Sequence, residues 1–190
     1  MSIRRASDSG VSGFATGVAD FLATPSSANL AAALTDETGT GANVFATSPT
    51  IATATVTNPI VVSPEERTTV SATAAASTVQ FDAVTQGVLY YTSNATGNWT
   101  LNIRGNSSTT LSSILAVGDS ITVVFLNTNG TTAYYPTVYQ VDGNAVTPKW
   151  QGGTAPSAGN ASSIDAYSLT IIKTAATPTY VVLGSQTRFS

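Results

Sequence analysis

Asn98-Trp99-Thr100-Leu101-Asn102-Ile103-Arg104 and Ser120-Ile121-Thr122-Val123-Val124-Phe125-Leu126-Asn127 are the two stretches whose reading decides the fold. In each, large apolar residues alternate with polar ones. Side chains of an extended strand point to opposite faces in turn, so Trp99, Leu101 and Ile103 share one face and Ile121, Val123 and Phe125 share another. Two half-buried strands follow, with these faces turned to a common core.

Five further stretches carry the same β-branched and aromatic character: Thr78–Val84, Val88–Ser93, Ala133–Val141, Ala166–Thr174 and Thr179–Ser185. Turn text separates them, including Asn129-Gly130 and Asp142-Gly143, which tolerate the positive φ of tight hairpins. One helical turn is expected near Leu111–Ala116. Seven strands at near-regular spacing predict a mainly β protein whose C-terminal domain is an antiparallel β-sandwich of jelly-roll type.

The pattern changes upstream of residue 78. Pro64-Glu65-Glu66-Arg67 is the densest charge cluster, and an Ala/Ser/Thr run, Thr68–Ser77, follows it. The expected organisation is a docking or stem segment over 1–60, a linker over 61–77 and the β domain over 78–190. Ile51–Ser63 alternates apolar residues with Thr before Pro59 breaks it, as in a connector that pairs at a sheet edge. Residues 1–13 are polar and Ser/Gly-rich, the composition of a segment that is flexible unless a partner holds it.

Within the stem, Val18, Phe21 and Leu22 form a small stripe at helical spacing, and Leu30 and Leu34 form a second. Thr24-Pro25 reads as a helix start, with Thr24 capping and Pro25 at the first helical position. The second helix is expected to stop at Thr35–Gly41, where Gly39 and Gly41 permit a left-handed cap. Helices this short are marginal in water, so Val18, Phe21, Leu22, Leu30 and Leu34 are candidate docking or oligomerisation residues.

Composition narrows the chemistry. The chain is 42% hydrophobic but only 9% charged, against a usual charged share of about 25%, and Thr, Ser, Asn and Gly make up the polar remainder. The net charge of −3 lies in the first 70 residues, where six acids face Arg4, Arg5 and Arg67. No basic patch is available to neutralise phosphates, so nucleic acid is not an expected partner. The absence of Cys and His removes disulfides, thiolate nucleophiles, Cys/His zinc sites and Ser-His-Asp triads. The N-terminus lacks the apolar core of a signal peptide and no run approaches the roughly 20 apolar residues of a span, so a soluble chain without membrane insertion is expected.

No catalytic residue, cofactor or metal is expected. Asp82, Asp119, Asp142 and Asp165 are the acids of the β domain, and Asp119, Asp142 and Asp165 lie in turn or loop text, where an Asp more often caps its own backbone than forms a catalytic pair. Binding is the better expectation. Tyr90, Tyr91, Tyr134, Tyr135, Tyr139 and Trp150 supply aromatic faces beside Asn and Thr, a combination suited to sugars. The long Gly/Ser/Ala/Pro loop from Lys149 to Ser163 opens at Trp150 and Gln151 and contains Asn160. Candidate contacts are therefore Trp150, Gln151, Tyr134, Tyr139 and Asn160, with Trp150 open to surface recognition, a protomer interface or the core.

Two parts of the chain resemble known virion proteins. Residues 20–51, from Asp20-Phe-Leu-Ala-Thr-Pro-Ser-Ser-Ala-Asn-Leu-Ala-Ala-Ala-Leu to Phe45-Ala-Thr-Ser-Pro-Thr50, resemble a module of bacteriophage tail-fibre proteins. Residues 90–190, with Asn98-Trp-Thr-Leu-Asn-Ile-Arg-Gly-Asn, Val117-Gly-Asp-Ser-Ile-Thr-Val-Val-Phe and Lys149-Trp-Gln-Gly-Gly-Thr-Ala-Pro-Ser, are similar to a C-terminal domain of virion structural proteins from cyanophages and marine phages. The resemblance implies a homotrimeric, fibre-like virion component that docks through its N-terminus on other virion proteins and turns its β domain outward to a host-surface glycan. The alternative it implies is an architectural cement, collar or head-fibre protein with no receptor role. No repeated shaft is present, which favours a short fibre, a baseplate tip or a head decoration.

Overall fold

The computed structural model describes residues 17–34 and 56–190 and divides into two units, Met1–Ile60 and Val61–Ser190. Expectations for residues 1–13, for the cap at Thr35–Gly41 and for the first half of the Ile51–Ser63 connector lie outside the described residues.

In the first unit, α1 (Val18–Ala23) and α2 (Ser27–Ala33) are short helices on either side of Pro25. Thr24 is the C-cap of α1, and the N-cap of α2 is Ser26, whose hydroxyl accepts from Asn29 N at 3.1 Å. The expected cap at Thr24 therefore moves two residues on: Pro25 sits between the helices, and Ser26 is the first residue free to adopt the extended backbone of an N-cap. Asn29 ties the pair together, its Nδ2 donating to Thr24 O at 2.7 Å and Asp20 O at 3.3 Å. Gly17 starts α1 at φ 88°, and its backbone lies against the Ala32 carbonyl, leaving no room for a Cβ. Val18, Phe21 and Leu30 remain half-buried, Leu34 is 37% exposed and Leu22 is 59% exposed. The helices pair without enclosing their apolar side chains.

The second unit is mainly β, built from two mixed sheets. Its strands are β1 (Thr68–Ala74), β2 (Ser77–Asp82), β3 (Val88–Asn94), β4 (Trp99–Arg104), β5 (Ser120–Thr128), β6 (Pro136–Val141), β7 (Asn144–Val146), β8 (Lys149–Trp150), β9 (Ile164–Ala175) and β10 (Thr179–Phe189). A single turn of helix, α3 (Leu111–Ile114), precedes β5. One sheet has the order β1-β3-β5-β9-β10-β8 and the other β2-β4-β6-β7.

The seven expected strands are all present, but their pairing is not the antiparallel one of a jelly roll. Five of the eight strand pairs are parallel: β1 with β3, β3 with β5, β2 with β4, β4 with β6, and β8 with β10. The first six strands alternate between sheets, so the chain winds from one sheet to the other and returns one strand along. Thr68 of β1 pairs beside Val88 of β3, which pairs beside Val124 of β5; the second winding is longer because it carries α3. The physical reason is connector length. Two to five residues suffice for a hairpin and equally for an arch across the ~10 Å between packed sheets, so the turn text is compatible with both. The chain folds back at β7, antiparallel to β6, and at β9, antiparallel to β5 and to β10.

Two further differences follow. Thr68–Ser77, placed in the linker by its composition, supplies β1, an edge strand. Asp142-Gly143 does form a hairpin, between β6 and β7, with both residues at positive φ, whereas Asn129-Gly130 does not adopt positive φ, and the Asn129 side chain is buried.

The core lies between the inward faces of the two sheets and matches the alternation: Val79, Phe81, Trp99, Leu101, Ile103, Val123, Phe125, Tyr167, Leu169 and Ile171 are buried in one cluster. Trp99 stands at its centre, edge-on to Phe125 at 5.9 Å and to Tyr167 at 6.1 Å across the sheets. Such edge-to-face pairs add about 0.5–1.5 kcal/mol each to the burial of the rings.

Candidate functional site

Trp150 is placed by the two-residue strand β8, which pairs in parallel with β10 so that Trp150 lies beside Gly184. The glycine gives the ring its room, because a Cβ would sit 3.0 Å from Cζ3 of Trp150 and 3.2 Å from Cδ2 of Leu169, so that a larger residue would push them back. The indole thus rests on the strand backbone and meets the Tyr139 ring at 5.2 Å with an interplanar angle of 66°. Trp150 is half-buried: one part closes the edge of the core and the rest borders a groove.

That groove, of about 340 Å³, runs between β6, β7 and the chain on either side of Trp150. Tyr135, Val138, Tyr139, Val146, Pro148, Trp150 and Pro156 give it an apolar wall, with Thr137 and Thr147 at its rim, and no charged side chain lines it. It is at the small end of the ligand-sized range of about 300–1,000 Å³. Tyr139 is only 8% exposed, and burial first, then the neighbouring Tyr135, pushes its phenol pKa well above the usual value. Its buried hydroxyl has no hydrogen-bond partner among the described residues, an uncommon condition for a buried polar group.

The candidate contacts divide between this groove and another place. Trp150 and Tyr139 meet at the groove, Tyr139 mostly as core. Gln151 is exposed and borders, with Trp150, two further depressions of about 390 and 260 Å³. Tyr134 and Asn160 belong instead to a buried polar cluster centred on Asp165, at the start of β9. Asp165 is fully buried and its carboxylate accepts from Asn160 N at 2.9 Å, Asn160 Nδ2 at 2.6 Å, Asn129 Nδ2 at 3.1 Å and Gln186 Nε2 at 3.3 Å. Asn129 in turn accepts from Tyr134 N at 3.1 Å and donates to Tyr134 O at 3.2 Å. The cluster pins the 154–163 loop, and the loop carries Ala155 and Pro156 into the groove wall.

The other acids are also engaged. Asp82 accepts from Arg104 Nε at 2.7 Å, and Asp119 accepts from Ala116 N at 2.9 Å, the local cap expected of it. Asp142 does not cap its own turn; it accepts from Leu111 N at 2.7 Å and Ser112 N at 3.0 Å, holding the start of α3 from thirty residues away. The other end of α3 is held by the buried Lys173, whose Nζ donates to Ser112 O and Leu115 O at 2.6 and 2.9 Å. Negative charge at the start and positive at the end of the helical turn complement its dipole.

Sequence reading named Tyr135 among the aromatic faces without placing it with Trp150, and missed Val138, Pro148 and Pro156 as groove residues. Their signal was the two prolines on either side of Trp150, which hold extended backbone at both rims. Among the described residues no group of three or more His, Cys, Asp or Glu is placed to hold a metal ion, and no helix is long and apolar enough to cross a membrane. Compared with known proteins, the chain matches no family model, no curated protein and no solved structure at a significant level.

Proposed function

We propose that this chain is a short, fibre-like structural component of a phage virion, a homotrimer that docks through its helical stem on other virion proteins. Its β unit presents the Trp150 groove to a neutral carbohydrate of the host surface. The virion setting is supported by the resemblance of residues 20–51 and 90–190 to phage structural proteins. The carbohydrate is supported by the groove: aromatic and proline walls offer flat apolar contact to a sugar ring, threonine hydroxyls stand at the rim, and no charge favours an ionic ligand. The single observation that carries the reading is the uncharged wall of this groove, where half-buried Trp150 and Tyr135 stand beside Pro148, Pro156 and the exposed Val138. A glycan array of host-surface polysaccharide fragments tests it: the full chain is expected to retain neutral oligosaccharides, and retention of none counts against a receptor role.

A second reading is favoured by one observation, the apolar side chains of α1 and α2 that the helix pair leaves uncovered. In it the protein is a cement, collar or head-fibre component whose surfaces are buried against other subunits. A particle reconstruction with the β unit wedged between other virion proteins, and the Trp150 groove covered, would decide for this reading.

A further inference from the structure

The outer face of the six-stranded sheet is chemically unlike the rest of a low-charge surface. Alternation that turns Leu89, Phe125 and Tyr167 inward turns their neighbours out, and the register aligns these across the sheet. One row runs Val70, Tyr90, Leu126, Ala166 and Thr187, and the row beside it runs Thr68, Val88, Val124, Ser168 and Ser185, apolar residues with small hydroxyl ones. Neither row contains a charged residue along its length from β1 to β10. The exposed Val70 (64%), Leu183 and Phe189 extend the apolar character to its margins.

We propose that this face is the contact surface for a second copy of this chain. The first reason is charge: two copies carry identical charges on identical faces, so a charged sheet would repel its own copy, and this one is neutral. The second is area. Five strands about 4.8 Å apart and some six residues of about 3.3 Å each make a plane of roughly 500 Å² before side-chain relief is added, approaching the ~800 Å² per partner of a stable interface. The third is shape, since β-branched and small residues on a sheet interdigitate with a facing sheet at ~10 Å. At the margin, β1 is a free edge of seven residues without charge or proline, lacking the usual guards against pairing. The pairing is two-fold, a contact beyond the homotrimer proposed above, and its test is separate from that of the groove.

Sedimentation velocity of the full chain provides the test. Wild type is expected to sediment above the single-chain mass of 19.3 kDa, and Leu126→Lys and Val70→Lys to fall to that mass with unchanged far-ultraviolet circular dichroism. Thr78→Lys, on the outer face of the other sheet, is expected to leave the assembly intact. Should Leu126→Lys fail to fold, the edge-strand variant Val70→Lys decides, because its side chain is already mostly in solvent. A wild type at the single-chain mass overturns the assignment and leaves the groove to its own test. Assembly that survives Val70→Lys and Leu126→Lys but is lost in Leu22→Lys also overturns it, moving the contact to the helix pair.

Discussion

Replacing Asp165 separates two explanations of how the long loop is held, by charge or by hydrogen bonds. Asp165→Ala removes the acceptor of four donors, of which Asn129 Nδ2, on a residue 2% exposed, keeps only its bond to Tyr134 O, while the Asn160 backbone N–H is partly buried. An orphaned buried donor costs about 1–3 kcal/mol, so the one freed Asn129 N–H, with the partly buried Asn160 N–H and the small cavity, puts the loss at about 2–4 kcal/mol. Asp165→Asn keeps an oxygen toward Asn160 N and Asn129 Nδ2, and a flip of the Asn160 amide restores the remaining contact. Its cost is the charge assistance alone, offset by the carboxylate desolvation no longer incurred, or about 1–2 kcal/mol. Urea unfolding followed by circular dichroism measures both, and the Ala variant should also melt roughly 10–20 °C lower. If Asn proves as costly as Ala, the carboxylate charge rather than the donor count holds the loop; if both lie within about 0.5 kcal/mol of wild type, the cluster does not order it at all.

Three other outcomes follow from the same geometry. Gly184→Ala brings a methyl against Cζ3 of Trp150 at 3.0 Å, so we expect a loss of about 1–3 kcal/mol and a red-shifted tryptophan emission as the indole moves outward; an unchanged spectrum would mean the indole does not rest on β10. Asp142→Ala frees Leu111 N and Ser112 N at the start of α3 and should cost about 1–2 kcal/mol, whereas Asp119→Ala, which loses a single exposed cap, should cost less. Tyr139 and Tyr167 both have phenol pKa values raised chiefly by burial, so the folded chain holds their protons where the unfolded chain releases them. Their contribution is complete below pH ~10 and is lost above it, at about 1.4 kcal/mol per pH unit for each. Titration at 295 nm should therefore show these two phenols ionising only together with unfolding, and reversible ionisation of all seven tyrosines in the folded chain would refute the burial.

Strand positions and core faces were legible because alternation is a local property: Trp99, Leu101, Ile103, Ile121, Val123 and Phe125 turn toward one core as their spacing demands. Strand pairing was not, since it depends on where a short connector leads. Ala75-Ala76 could close a hairpin, yet it carries the chain from β1 to the opposite sheet. β1 was hidden by composition, because an Ala/Ser/Thr edge strand with no large side chain reads like a linker. At the site, Trp150 was found by its chemistry, but Tyr134 and Asn160 were drawn into the Asp165 cluster by contacts from residues 129 and 186, which no local spacing reveals.

The central claim is that the uncharged Trp150 groove takes up a neutral sugar, and a binding titration read by tryptophan emission tests it most directly. With a neutral oligosaccharide retained on the array, the full chain should show saturable change in emission, insensitive to salt because no charge lines the groove. Val138→Arg, at a 41%-exposed position in the groove wall, should weaken binding by about tenfold or more, equivalent to at least ~1.4 kcal/mol, while leaving the fold unchanged. Binding of equal strength in Val138→Arg, or no saturable change in wild type, would contradict the account.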